Sequence, residues 1–397
     1  MKQDFLRYQA QTTAFASGFE VSHAQGNYIY GCDGRGYLDF VAGVSANTVG
    51  HSHPHLLAKI TQQLHKHTHV MVYGEYIQQE PLELCKRLAQ ILPDPLETTY
   101  LVNSGAEAID ASIKLAKRVT GRSQVLSAKM AYHGNTHGAL SVSGNESFKA
   151  AFRPLLPEVY FVDYNSAQAL ERITKHTACI ILESIQGAAG CVMPENDWLQ
   201  QVRARCSETG TLLILDEIQP GFGRTGKWFG FEHFHVVPDI VVMGKGMAGG
   251  MPIGAFTASY DHMKTLQANP KLGHITTFGG NPVIAAAANG VLDIIQQENL
   301  MEGIARKEAI IRTHLKHPAI KSVKGLGLMI GVELESGDKV QQVAARCMQH
   351  GLIVFWLLYE TQFLRITPPL TITEAELIEG CKIILQSLDE LEAESRK

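Results

Sequence analysis

The sequence has little that would suit it to a membrane or to nucleic acid. Its most apolar run spans residues 352–358, far short of the roughly 20 residues that a transmembrane helix needs. The 35 Lys and Arg residues are offset by 39 Asp and Glu residues, so the formal net charge is −4. Such a balance gives no broad attraction for nucleic acid or for an anionic membrane. We therefore expect partners that are small molecules.

Cysteine usage gives no sign of an oxidising compartment. The seven cysteines are odd in number, scattered along the chain, and contain no C-x-x-C pair. Residues 1–15 (MKQDFLRYQAQTTAF) also lack the apolar core of a secretory signal. Because disulfides persist mainly outside reducing compartments, this pattern favours a cytoplasmic protein.

Clustered histidines raise the question of a metal site, but the other ligand types are missing. Histidines stand at positions 51, 53 and 55 and again at 65, 67 and 69, and His65 and His69 are spaced to share a helix face. No Cys or carboxylate ligand pattern accompanies them. We expect no metal, and interpret the second cluster as a solvated helix.

The hydrophobic pattern predicts an α/β fold. From about residue 96, short apolar segments alternate with amphipathic ones, and the runs CIILE and LLILD are apolar throughout, as in strands covered on both faces. This alternation indicates a large, mostly parallel sheet with ligand sites at the carboxyl ends of its strands. The predicted strands are 98–102, 123–127, 158–163, 178–183, 212–216 and 240–243, and a helix is predicted over 106–119 with Ile109, Ile113 and Ala116 on one face.

The pattern changes after about residue 283. A helical stretch (283–297) leads to a strand-like segment (322–334), and a polar helix is predicted over 374–391. We interpret this part as a smaller α+β domain that the N-terminal segment joins. The predicted division is 1–45 for that N-terminal segment, 46–285 for the large domain and 286–397 for the C-terminal small domain.

An anion-binding loop is suggested by Ser104, Gly105 and Ala106, which follow a predicted strand and open a helix. Small residues there let backbone N–H groups approach a phosphate, and the helix dipole favours negative charge. The plainer alternative is that Ser104 only caps the helix.

Two charged side chains follow later strands. Asp216 ends LLILD, where a buried carboxylate needs a partner: a structural arginine, a metal or a cationic cofactor ring. Lys245 emerges from an apolar strand into a glycine-rich segment. Desolvation lowers the pKa of a lysine, which suits Schiff-base chemistry, although most lysines are ordinary surface residues.

Arg365, in the segment FLRITPP, completes the set. Its guanidinium can bind a substrate carboxylate through two hydrogen bonds, or it can belong to an internal ion pair. A Schiff-base lysine and an acid against a ring nitrogen are what pyridoxal 5′-phosphate (PLP) requires. Ionised Asp216 would keep the ring nitrogen protonated, and Lys245 would move a proton between the substrate Cα and the cofactor C4′.

The sequence motifs that contain these residues resemble those of the class III (ω-amino-acid) aminotransferases. This group includes the acetylornithine, ornithine and 4-aminobutyrate aminotransferases. The resemblance covers nearly the whole chain. It implies a fold type I PLP enzyme, with a mostly parallel seven-stranded sheet in the large domain, that moves an amino group from an amino acid to a 2-oxo acid such as 2-oxoglutarate or pyruvate. The matching stretches are GHSHP (50–54), NSGAEAIDASIKLAKR (103–118), YHGNTHGALSVSG (132–144), ILESIQGAAG (181–190), LILDEIQPGFGRTG (213–226), GKGMAGGMPIGA (244–255), TTFGGNP (276–282) and LRITPPL (364–370).

The resemblance also implies roles for single residues, and a homodimer with active sites at the subunit interface. Ser104, Gly105 and Ala106 match the phosphate cradle, and Lys245 the Schiff-base lysine. The other matches are Tyr132 stacking on the ring with His133 beside it, Asp216 at the ring nitrogen, Gln219 near the ring hydroxyl, Thr277 binding the phosphate of the other subunit's site, Arg365 clamping the α-carboxylate, and Glu183 in an active-site role that the resemblance leaves open.

Three departures from the family pattern bear on the substrate. Asn135 stands where many members have an arginine for a second carboxylate, and Ala188 where many have a glutamate that masks the carboxylate-binding arginine. Val44 stands where ornithine aminotransferases usually have tyrosine. We therefore expect Arg365 to be permanently available and ornithine δ-transamination to be disfavoured. Asn135 makes pyruvate and alanine serious competitors of 2-oxoglutarate and glutamate.

Other functions compete with this one. Residues 221–226 satisfy G-x-G-x-x-G, the pattern of an NAD-dependent dehydrogenase, but no strand, turn and helix surround them in the required order. A PLP-dependent racemase or aminomutase of the same fold shares every motif. A non-enzymatic PLP-binding protein would be signalled by loss of Lys245 or Asp216, and both are present.

Overall fold

The structure, a computed structural model, describes residues 1–14, 17–71 and 74–395. Its strands form three sheets, with the orders β1-β2-β3-β13, β4-β10-β9-β8-β7-β5-β6 and β11-β12-β15-β14. The strands are β1 (Val21–Gln25), β2 (Tyr28–Gly31), β3 (Gly36–Asp39), β4 (Thr98–Val102), β5 (Gln124–Ala128), β6 (Val159–Val162), β7 (Thr177–Glu183), β8 (Leu212–Asp216), β9 (Ile240–Gly244), β10 (Gly254–Ala258), β11 (Ser322–Leu326), β12 (Met329–Glu333), β13 (Leu352–Ile353), β14 (Phe355–Trp356) and β15 (Phe363–Ile366).

Helices surround these sheets, and none in the described part of the chain is long and apolar enough to cross a bilayer. Short 3-10 helices span Glu146–Phe148, Ala150–Phe152, Gly230–Phe234, Lys245–Ala248 and Lys264–Gln267. The helices are α1 (Lys2–Tyr8), the single turn α2 (Ala42–Ser45), α3 (Pro54–Lys66), α4 (Gln79–Ile91), α5 (Gly105–Thr120), α6 (His137–Val142), α7 (Ala167–Arg172), α8 (Trp198–Thr209), α9 (Tyr260–Met263), α10 (Pro282–Gln297), α11 (Ile304–His314), α12 (Gly337–Gln349) and α13 (Glu374–Ser395).

The seven-stranded sheet is mostly parallel, as predicted, and its central strands are buried on both faces. Every residue of β7, β8 and β9 is buried. Alternate residues enter two hydrophobic clusters: Leu213 and Leu215 join the cluster that contains helices α3, α4 and α10, and Leu212 and Ile214 join the one that contains α5. Because successive side chains of a strand point to opposite faces, apolar residues at every position place helices on both sides of the sheet.

One strand of this sheet was missed in the sequence. Strand β10 (GAFTA) pairs antiparallel with β4 on one side and with β9 on the other. Its sequence signal is weak, since glycine and alanine occupy three of its five positions and neither favours a strand. The six predicted strands all overlap observed ones, and the predicted helix at 106–119 corresponds to α5, with Ile109, Ile113 and Ala116 buried.

The N- and C-terminal parts of the chain pack together. Strand β3 pairs in parallel with β13, and Leu38 and Phe40 join a cluster otherwise made by residues 304–391.

The prediction of one strand-like segment at 322–334 was wrong in detail, because β11 and β12 form an antiparallel hairpin. Gly327 permits this turn with its φ of +60°, which few other residues adopt.

One expectation about helix α3 also needs correction. The helix ends at Lys66, and His67 is its extended C-cap, so His65 lies in the last turn and His69 lies beyond the helix. These two histidines therefore do not share a helix face. Among the described residues, no group of three or more His, Cys, Asp or Glu side chains is placed to hold a metal ion.

We predict that Gly254→Ala destabilises the protein by about 1–3 kcal/mol, the usual cost of forcing extra volume into a packed interior. A Cβ at Gly254 would overlap the carbonyl oxygen of Ser104, in the turn that leads into α5. Urea unfolding measures the effect. Gly303→Ala is the matched control, because its added Cβ would meet nothing closer than Lys307 Cε at 3.8 Å. Equal stability of the two variants would contradict the prediction.

Candidate active site

The carboxyl ends of five strands of the large sheet meet at one cavity. Its volume is about 490 Å³, and the loops after β4, β5, β7, β8 and β9 line it together with residues from α2 and β15. It brings together most residues that the sequence singled out: Val44, Gly105, Ala106, Tyr132, His133, Asn135, Glu183, Asp216, Gln219, Lys245 and Arg365.

Lys245 follows β9 directly and opens the 3-10 turn Lys245–Ala248 with a φ of +42°. Such a φ is uncommon for a residue other than glycine and is maintained only where the surroundings enforce it. Burial, together with a smaller contribution from the nearby Arg365, lowers the pKa of the Lys245 amine to about 8, and Asp216 opposes the change. A large fraction of the amine is therefore neutral at slightly alkaline pH, the form that acts as a nucleophile or base.

Asp216 is fixed through both of its carboxylate oxygens. His133 Nδ1 lies 2.7 Å from Oδ2, and the backbone N–H of Ile218 donates to Oδ1 at 3.0 Å. Because a carboxylate accepts, the Nδ1 of His133 carries the proton. Asp216 is 3% exposed, so the carboxylate meets little solvent and depends on these donors.

Glu183 stands beside Asp216, since the two are register partners at the ends of β7 and β8. It accepts hydrogen bonds from the backbone N–H groups of Tyr132 (3.0 Å) and Gly187 (2.9 Å). Burial raises the pKa of Glu183 to about 7. The side chain thus ties together the two loops that follow β5 and β7, which is a positioning contact that the sequence alone did not reveal.

Arg365 lies in β15 and is 6% exposed. Its Nε and Nη1 atoms have no hydrogen-bond partner within the described chain, and desolvation lowers the pKa of the guanidinium. Ala188, where a masking glutamate was expected in relatives, also lines the cavity. An unpaired buried guanidinium is costly, so this geometry suits a ligand that brings its own carboxylate.

Two predicted residues lie outside the cavity wall. The Ser104 hydroxyl accepts the Glu107 N–H at 3.2 Å and caps α5, in agreement with the plainer of the two interpretations, and the lining begins at Gly105. Thr277 is exposed and belongs to the loop before α10. Within this chain, therefore, Thr277 does not join the other predicted residues.

Sequence reasoning missed the apolar residues that the segment after β13 contributes to the cavity wall: Phe355, Trp356 and Leu358. They belong to the most apolar run of the chain, which was the available signal.

The G-x-G-x-x-G segment at 221–226 forms consecutive turns, followed by the 3-10 helix Gly230–Phe234 rather than by an α-helix. The expected mismatch with a dinucleotide-binding loop is therefore confirmed.

The cavity residues fit PLP. Helix α5 begins at Gly105, so its N-terminal N–H groups can hold a phosphate, and a Cβ at Gly105 would lie 2.6 Å from the Ile218 side chain. Asp216 can face a cationic ring nitrogen, and Lys245 supplies a desolvated amine. Bound PLP supplies an electrophilic carbonyl carbon and an electron-withdrawing ring.

A lysine and a carboxylate that line one cavity at the carboxyl edge of a mostly parallel sheet define a PLP-dependent transferase of fold type I. The chain belongs to the class-III aminotransferases, whose family model matches residues 8–388. It is an enzyme that uses PLP to transfer an amino group between an amino acid and a 2-oxo acid.

Relatives and solved structures agree with this assignment. The chain is 36% identical to an acetylornithine aminotransferase of Archaeoglobus fulgidus over 366 residues, which cover 92% of this chain and 94% of that protein. An ornithine aminotransferase of Toxoplasma gondii, with PLP at partial occupancy in its active site, superposes with a TM-score of 0.92 at 29% identity and covers 100% of this chain and 96% of its own. A transaminase from the marine bacterium Virgibacillus gives a TM-score of 0.92 at 25% identity, covering 99% and 98%.

We predict that Lys245, in protein freed of cofactor, reacts with a small amine-selective reagent at a rate that rises with pH and is half-maximal near pH 8. The lowered pKa makes the neutral amine dominant above that pH, whereas a solvent-exposed lysine has a pKa near 10.4. Mass spectrometry of the Lys245 peptide after brief labelling gives the rate. Lys245→Ala is the control for assignment, and a midpoint above about pH 10 would contradict the prediction.

Proposed function

We propose that Lys245 binds PLP as a Schiff base and that Asp216 holds a proton on the ring nitrogen. The observation that carries this proposal is that both side chains line one cavity, at the ends of neighbouring strands β9 and β8. In the same scheme, Gly105 and Ala106 offer N–H groups to the phosphate, which Ser104 assists from the helix cap. Tyr132 would stack on the ring with His133 beside it, and Gln219 would lie near the ring hydroxyl.

Lys245 also has the proposed role of moving the proton between the substrate Cα and the cofactor C4′. Its pKa of about 8 supports this role, because an amine can both accept and return a proton when its pKa lies near the working pH. Glu183 contributes by positioning. Its bonds to the backbone of Tyr132 and Gly187 keep two cavity loops in place.

The proposed substrate contact is between Arg365 and the α-carboxylate of the amino or 2-oxo acid. Its two unpartnered nitrogens support a permanently available clamp. Asn135 donates to the Tyr132 hydroxyl at 3.5 Å and carries no charge for a second carboxylate. With Val44 in the wall as well, we propose that ornithine δ-transamination is disfavoured and that pyruvate competes with 2-oxoglutarate as acceptor.

A homodimer that shares its active sites is the proposed assembly. The segments around Thr277 expose large apolar side chains: Phe278 is 57% exposed, Tyr76 61% and Ile77 92%. Tyr76 and Ile77 also line a second cavity of about 440 Å³. Apolar patches of this kind mark protein interfaces. A second copy bound there would cover this surface, with Thr277 reaching the phosphate of the other subunit's site.

The division into 1–45, 46–285 and 286–397 is likewise a proposal. It is supported in outline by the pairing of β3 with β13 and by the separate hydrophobic clusters of the large sheet and of residues 304–391, although residues 287–295 of α10 pack in the large-sheet cluster and extend the large domain past residue 285. A cytoplasmic location is also proposed. The seven cysteines are free thiols, and five of them are buried, as suits a reducing compartment.

We expect the purified protein to be yellow, and its turnover to need both an amino donor and a 2-oxo acid. Donor alone should bleach the visible band once and then stop, because the amino group remains on the cofactor. Lys245→Ala should lack the visible band of lysine-bound cofactor. Spectroscopy with and without pyruvate checks this, with alanine as donor. Loss of optical activity without any acceptor would instead indicate a racemase.

Hybrid dimers test the shared site. We predict that an equimolar mixture of Lys245→Ala and Thr277→Ala subunits regains, after subunit exchange, about one quarter of the wild-type activity. About half of the dimers are then hybrids, and each hybrid has one intact site out of two. If Thr277 acted within its own subunit, every site in the hybrid would carry one lesion and no activity would return. Each variant incubated alone is the control.

A further inference from the structure

The apolar run 352–358 has two differently directed surfaces. Leu352, Val354 and Leu357 are buried at 0%, 5% and 1% exposure within the hydrophobic clusters of the C-terminal part. Phe355 and Leu358 instead line the active-site cavity, and Phe355 is 42% exposed. An aromatic side chain that a core-forming segment leaves uncovered inside a cavity is available for a ligand.

The sheet register brings this surface beside the substrate clamp. Phe355 pairs directly with Arg365 across the β14–β15 ladder, so their side chains share one face. The rings of Phe355 and Trp356 stack with centroids 3.9 Å apart and planes 19° apart. The cavity wall next to the Arg365 guanidinium is therefore apolar. We refer to its residues Phe355, Trp356 and Leu358 as the aromatic wall.

Among the described residues that line the active-site cavity, one cationic side chain is available to bind a substrate carboxylate. The cationic or titratable basic side chains there are Lys245, His133 and Arg365. His133 is bonded to Asp216, and the amine of Lys245 has its proposed role at the cofactor. Arg365 remains. A second carboxylate placed against the aromatic wall would lose its hydration without gaining a hydrogen bond, which is unfavourable.

We propose that the substrate of this enzyme is an amino or 2-oxo acid with a single carboxylate and an apolar or aromatic side chain, and that the aromatic wall is its specificity-determining surface. The proposal rests on the role of Arg365 given under Proposed function. The substrate α-carboxylate binds Arg365, and its side chain lies against Phe355, Trp356 and Leu358. Dicarboxylic acids are discriminated against because Asn135 and the wall leave their second carboxylate unpaired.

Binding of unreactive carboxylates to the holoenzyme tests the wall without turnover. By isothermal titration calorimetry, 3-phenylpropanoate and 4-methylpentanoate should bind at least about tenfold more tightly than glutarate, as burial of one apolar side chain implies. Phe355→Ala should weaken the two apolar probes about tenfold and leave glutarate unchanged, and Phe355→Leu should restore most of the affinity. Phe355 is the chosen position because Trp356 also packs on the core.

The matched control is Tyr260→Ala, an aromatic residue that is 55% exposed on helix α9 and does not line the cavity. It should leave all three affinities unchanged. Glutarate binding as tightly as the apolar probes would overturn the proposal. So would a Phe355→Ala variant that weakens all three probes alike, since this would indicate a general structural effect.

Half-reactions of the PLP form with single amino donors give the second arm. Leucine and phenylalanine should convert the cofactor with a kcat/KM at least about tenfold above that of glutamate. Phe355→Ala should raise KM for these two donors more than it changes kcat. Asn135→Arg should increase kcat/KM for glutamate, because it returns a cation for the second carboxylate.

The outcomes separate this proposal from the proposed function. Preferred conversion of glutamate by the unmodified enzyme would overturn the aromatic wall as the specificity surface, while transamination at Lys245 would stand. No conversion of any donor would count against the roles of Lys245 and Asp216. In that case the calorimetric comparison of the three carboxylates alone would decide for or against the wall.

Discussion

Desolvation of charged groups at the carboxyl edge of the large sheet is the constraint on which the active site depends. It lowers the pKa of Lys245 to about 8 and raises that of Glu183 to about 7. The guanidinium of Arg365 is also buried there, and its Nε and Nη1 have no hydrogen-bond partner among the described residues. Each of these groups is less stable as an ion there than in water, so the free energy of the site improves when a ligand of complementary charge enters. A phosphate, a cationic ring and a carboxylate are such groups.

The backbone around the cavity is itself under strain. Gly43 and Val44 adopt left-handed conformations in α2, and Ala42 and Ser45 also have positive φ values, so this single turn is left-handed where a right-handed one is the default. Lys245 has a positive φ as well. The turn places Val44 in the cavity wall and lets Ser45 Oγ accept a hydrogen bond from Gln219 at 3.4 Å. Strain of this kind persists where the surrounding packing enforces it, as at a functional site.

Features set by local chemistry could be predicted from the sequence, and those set by distant packing could not. Fully apolar runs ending in Asp216 or followed by Lys245 indicated buried parallel strands with ligand groups at their ends. Strand β10 was missed because glycine and alanine fill three of its five positions, and its pairing with both neighbours joins segments far apart in the chain. The convergence of Arg365 with Lys245 was predicted from the chemistry of the residues and the family resemblance rather than from their spacing. The loop-tying contacts of Glu183 were not predicted, since they join segments far apart in the chain.

The aromatic wall illustrates how one segment can serve both stability and specificity. Three side chains of the run 352–358 are buried in the core, which fixes the backbone and hence the direction of Phe355 beside Arg365. Specificity is a difference between two binding free energies, and an unpaired carboxylate can contribute as much to it as a favourable apolar contact. Because Asn135 offers no cation to a second carboxylate and Phe355 offers an apolar contact to a side chain, the two residues act in the same direction. Exchange of either alone should therefore shift the preference only in part.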